Sequence, residues 1–216
     1  MATTKLDVWN MCLVDELGVD PLSDTGEANE AGRVLTRLHD KAVAECLSAG
    51  SWNFATETVK LDADTGVVPA FGYPKVFGKP PDWVRTVAVS EDEYFTYPLV
   101  NYYDDASYWS ADNTPVYVRY VSDDTGMGFD MTRWTPLFAR YVASELASRS
   151  CMKLTQSRAL KQEVDKARDK ARRRALNQDA LDEAQPKFAP PNSWTQSRWS
   201  GNGGPHDRGS RGRLIG

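Results

Sequence analysis

The chain has two histidines, His39 inside a helical pattern and His206 near the C-terminal end. Neither sits at the spacing of an HxH or HExxH metal motif, and no Ser/His/Asp set can be built around them. His39 is therefore expected to have a structural or surface role, as lone histidines usually do. Carboxylates are more plentiful. Asp104–Asp105, Asp123–Asp124 and the run Glu91–Asp92–Glu93 are arrangements that can hold Mg²⁺ or share a proton. They flank strand-like runs, where Asp is favoured for hydrogen bonds to its own turn. Solvated loop acids are expected there, with Mg²⁺-assisted hydrolysis as a minor reading. GNGG at Gly201 follows no strand and opens no helix, so it lacks the context of a phosphate loop. No catalytic activity, cofactor or metal is expected.

Two other groups of residues suit binding. Eight basic residues crowd Arg158 to Arg174. Arg158, Lys161, Arg168, Arg172, Arg173 and Arg174 would make a basic helix face able to contact phosphates without sequence preference. Glu163, Asp165 and Asp169 interleave with them at i,i+3 and i,i+4 spacings, which favours a solvated or protein-facing surface over a DNA-binding one. The second group is WTQSRW, Trp194 to Trp199, within a Ser/Gly/Asn/Arg-rich stretch that cannot form a core. Trp and Arg are the types most enriched at binding hot spots. In an extended chain Trp194 and Arg198 share one side and Trp199 takes the other. Trp194, Arg198 and Trp199, with Arg208, Arg211 and Arg213 beyond them, are the candidate docking residues.

These residues hang on a chain of 216 residues, long enough to bury a real core. Its hydrophobic content of 41% and charged content of 26% are those of ordinary globular proteins. No apolar run approaches a membrane span. MATTKLDVWN lacks the charged and apolar regions of a secretory signal, and the three separated cysteines form no CxxC. Synthesis in the cytoplasm, with buried reduced thiols, is expected. The net charge of −4 is unevenly spread: −5 over residues 1–56, −8 over 57–130, +5 over 131–185 and +4 over 186–216. An acidic body with a basic end suggests different partners for each.

Leu6, Trp9, Leu13 and Leu17 mark a first helix, closed by Gly18. A second is expected over about Glu27–Ser48, with Ala31, Val34, Leu35, Leu38, Ala42, Val43 and Leu47 as its stripe. From Trp52 to Asp130 the pattern changes to short β-branched and aromatic runs. Strands are expected at Thr56–Leu61, Arg85–Val89, Tyr94–Tyr97, Leu99–Tyr103 and Val116–Val121, in one small antiparallel sheet. Helix returns with Thr135 as N-cap and Pro136 at the first position. A long polar helix over Gln156–Ala184 follows, with Leu160, Val164, Ala167, Ala171 and Leu176 inward. The expected fold is α+β: a mainly helical bundle (1–51 and 131–185), an inserted β-rich domain (52–130) and an extended C-terminal arm (186–216).

The order of segments resembles the head-to-tail adaptor family of tailed phages, also called tail tubular protein A or head-completion proteins. The matching segments are Trp52–Ala55 (WNFA), Phe71–Tyr73 (FGY), Pro81–Arg85 (PDWVR), and Phe129–Asp130 ahead of a helix ending in Leu146–Ala147. They cover about residues 5–200, and their order carries more than any one of them. The Arg/Gly extension after Trp199 departs from the family pattern. The resemblance implies a virion protein forming a ring, usually of twelve copies, beneath the portal protein. Such a ring joins the portal to the tail nozzle, with tail fibres as further neighbours, and lets double-stranded DNA pass without specific binding or any contact with membrane. A nucleic-acid-binding protein using the basic helix and Arg-rich tail is the alternative reading.

Overall fold

The computed structural model describes residues 3–27, 29–67, 69, 72–96 and 98–182. The candidate docking residues Trp194, Arg198, Trp199, Arg208, Arg211 and Arg213, the rest of the expected arm (186–216), Phe71, Tyr97 and the expected helix end at 183–184 lie outside them. The fold is α+β. Residues up to Asp182 form one compact unit.

Helix α1, Lys5–Asn10, starts at Thr4, whose hydroxyl accepts the Asp7 N–H at 3.2 Å while Asp7 accepts the Thr4 N–H at 2.9 Å. Two orphan donors of the first turn are thereby satisfied. The helix widens into a π-helical stretch at Met11–Glu16 and stops at Gly18, whose φ of +64° lets the Val19 N–H reach back to the Leu13 carbonyl. Helix α2, Glu30–Ser48, begins three residues later than the sequence pattern suggests. Asn29 takes the Gly32 N–H at 2.7 Å and so fixes the start. In the expected stripe Leu35, Ala42, Val43 and Leu47 are buried, whereas Ala31, Val34 and Leu38 are half-buried.

Helix α3, Pro136–Leu154, starts as expected: Thr135 caps Phe138 and Pro136 opens the first turn. It is the central helix, buried nearly all round, and even Ser144, Glu145, Ser148 and Ser150 are enclosed. Helix α4, Arg158–Asp182, packs back on it through Val164, Ala171 and Ala175 after a turn with Gln156 at φ +53°. Trp52 seals the end of α2. Its indole N–H donates to the Cys46 carbonyl at 2.9 Å, and its ring meets Phe138 edge-on at 4.8 Å.

Two three-stranded antiparallel sheets stand where one was expected. The first has the order β1–β6–β3, with β1 Thr56–Leu61, β3 Trp83–Ser90 and β6 Val116–Ser122. The second has the order β2–β5–β4, with β2 Lys75–Gly78, β4 Tyr103–Asp104 and β5 Tyr108–Ala111. Among the described residues, 94–96 and 99–102 form no strand, and the second expected run keeps only Tyr103, at the start of β4. Asp92 accepts the Thr96 N–H at 3.0 Å and Phe95 takes φ +54°, so this stretch closes into a turn, after which Pro98 bridges to Ser90 and the Leu99 N–H donates to the Val89 carbonyl at 2.7 Å. The period-2 alternation of β6 divides the interior. Val121 faces the helical core, and Val116 and Val118 face a second core with Phe77, Val89, Trp109 and Ala111. The first sheet thus lies between the helices and the second sheet.

Candidate interaction surfaces

The six candidate basic residues of α4 do not share one face. Lys161 and Arg168 turn toward α3. Lys161 pairs with Asp165 and donates to the Ser148 hydroxyl at 2.8 Å. Arg168 lies 3.8 Å from Glu145 and 2.9 Å from Asp169. Glu145 also accepts from Arg149 at 2.7 Å, and Arg149 pairs in turn with Glu45 of α2. Burial pushes the Glu145 carboxyl up, against the pull of Arg168 and Lys161. Burial acts in the same sense on Asp165, but donors from Lys161 and Ser148 outweigh it and leave that carboxyl below its ordinary range. The network ties three helices together, so these two members of the basic run are held against the fold. Arg158, Arg172, Arg173 and Arg174 are exposed.

The carboxylate pairs also part company. Asp104 pairs with Lys79, whose ammonium lies 3.5 Å from the centre of the Trp83 ring and 5.3 Å from that of Trp109. Asp105, next in sequence, is exposed and has no ion-pair partner among the described residues. Asp124 accepts the Gly126 N–H in a tight turn at 2.7 Å, and burial beside Asp82 pushes the Asp123 carboxyl up. Among the described residues no group of three or more His, Cys, Asp or Glu side chains is placed to hold a metal ion. His39 is buried at 1% exposure. Its Nδ1 accepts the Trp9 indole N–H at 3.2 Å, and its Nε2 has no hydrogen-bond partner among the described residues. Burial, with Lys5 nearby, pulls the imidazole down to about 4.

Three surface features were not evident in the sequence. Tyr94, Val100 and Tyr103 are exposed at 78%, 90% and 54%, within a stretch that also exposes Glu91, Glu93, Asp104 and Asp105. A cleft of about 390 Å³ on the second sheet is lined by Val67, Pro69, Val76, Tyr103, Tyr108, Ser110 and Asp105. Its wall is held by Tyr73 against Tyr103, with ring centres 5.0 Å apart, where Gly72 at φ +84° lets the loop pass close to the Tyr103 ring. A smaller cleft of about 310 Å³ between α2 and α3 carries Arg33, Arg37 and Lys153 beside Glu30. Each cleft joins residues far apart in sequence, so no local motif marks it. The FGY segment was the nearest sequence clue to the first cleft. No protein-family model matches the chain, and no curated protein matches it.

Proposed function

We propose that this chain is a structural head-to-tail connector of a tailed phage, built into a ring under the portal protein and joining it to the tail nozzle. The observation that carries the proposal is the exposed apolar group Tyr94, Val100 and Tyr103 on the β-rich part. Exposed apolar side chains offer surface that a protein partner can cover. The ordered resemblance to the adaptor family supplies the identity of that partner. The acidic balance of residues 57–130 fits a surface beside passing DNA, because like charge repels the phosphate backbone and keeps it sliding. The basic C-terminal segment is the candidate anchor to the portal or to a neighbouring subunit. The test is negative-stain microscopy of the full chain alone and with portal rings, together with co-sedimentation. Rings that attach to portals support the proposal. A chain that neither forms rings nor co-sediments with portals rejects it.

A second reading, a nucleic-acid-binding protein, is favoured by the four exposed arginines of α4. It requires strongly salt-dependent retardation of duplex DNA in a gel shift. No retardation at low salt removes it.

A further inference from the structure

We propose that the cleft on the second sheet receives the WTQSRW segment of a second copy of this chain, with one indole among Tyr103, Tyr108, Val76 and Pro69 and Arg198 on Asp105. The cleft's volume of about 390 Å³ lies in the range of about 300–1,000 Å³ typical of pockets that take a small ligand or side chain. Its lining is aromatic and aliphatic, with Ser110 and Asp105 as the polar groups. That is the chemistry an indole recognises: broad apolar contact with a polar acceptor in reach of its N–H.

Charge selects among apolar occupants. Lys79 neutralises Asp104, while Asp105 at the cleft keeps an exposed carboxylate without an ion pair among the described residues. An arginine fork fits such a carboxylate in bidentate fashion. The surrounding residues 57–130 carry −8 and the C-terminal residues 186–216 carry +4. Within those C-terminal residues WTQSRW holds both tryptophans and an arginine in six positions. The occupant is thus matched in ring type and in sign. Cleft and segment are different surfaces of one sequence, so the contact either closes reciprocally between two copies or propagates from copy to copy as a ring or filament. The inference stands apart from the portal reading, since it concerns only contacts between copies of the chain.

The test uses the full chain carrying Trp194→Ala and Trp199→Ala, so that its own segment cannot compete. A fluorescent peptide spanning Pro190–Gly201 is titrated into it and followed by anisotropy. Saturable binding is expected, weakened about ten-fold or more by Asp105→Lys in the protein. The same peptide with both tryptophans changed to alanine is expected not to bind. Near-ultraviolet circular dichroism checks that each variant keeps its packing. Sedimentation of the unaltered full chain is expected to show concentration-dependent association, lost in the Trp194→Ala, Trp199→Ala variant. Absent peptide binding, equal binding to the Asp105→Lys protein, or an unaltered chain that stays monomeric at every concentration overturns the proposal.

Discussion

Acid should loosen this fold through one residue, His39. Its imidazole is enclosed between α1 and α2, and the Trp9 N–H points into Nδ1. The proton of the neutral ring must therefore sit on Nε2, and acquiring a second one at Nδ1 would set two donors against each other. Lys5 on α1 opposes the added charge and Asp40 on α2 favours it. The folded value of about 4 lies below the ordinary 6.5. Such a group contributes its full stability above pH 6.5. The contribution is lost progressively as pH falls from 6.5 through 4. The gap corresponds to about 3 kcal/mol. The comparison is with His39→Gln, whose side-chain oxygen can still accept from Trp9 and which does not titrate. Urea unfolding of both proteins at pH 7.5, 5.5 and 4 gives the difference directly, since the carboxylates titrate alike in the two. The unaltered protein should lose about 3 kcal/mol more than the variant between pH 7.5 and 4. Equal losses in both proteins would refute the reasoning.

Replacing Glu145 by leucine removes the acceptor shared by Arg149 and Arg168, which keep Glu45 and Asp169, and should cost about 1 kcal/mol in chemical denaturation. Gly128→Ala would bring a Cβ to 2.2 Å from the Ser122 carbonyl oxygen and 2.9 Å from the Leu47 side chain. A loss of about 2–3 kcal/mol by thermal or urea unfolding is expected, because the clash is with backbone. Cys12 is buried and its thiol is pushed up to about 12, so it should resist iodoacetamide at pH 8 in the native protein and react once urea unfolds it. Native-state labelling of Cys12, read by mass spectrometry, would contradict its placement.

Local chemistry made part of this fold legible. Thr135–Pro136 announces the start of α3 because both residues act within one turn, and Gly18 announces the end of the first helix for the same reason. The β1 run could be placed because its alternation spans six residues. The second sheet escaped notice because its strands have four, two and four residues, too few for a period to show. The run at 94–97 carries strand-like residues, but Asp92 captures its backbone, and side-chain capture of this kind overrides propensity. The basic run of α4 was visible, yet the turning of Lys161 and Arg168 toward α3 depended on Glu145, which an apolar stripe gives no reason to bury. The pairing of Trp9 with His39 joins positions thirty apart and leaves no trace in either segment.

The alternation along β6 has a mechanical consequence. One strand is the common wall of two interiors, with Val121 on one side and Val118 on the other. Pulling that strand away exposes both interiors at once, so neither can be lost while the other is kept. Load applied to the β-rich part is passed straight into the helices through a hydrogen-bonded wall rather than through a hinge. The unit built on residues up to Asp182 should therefore move and fail as a single body.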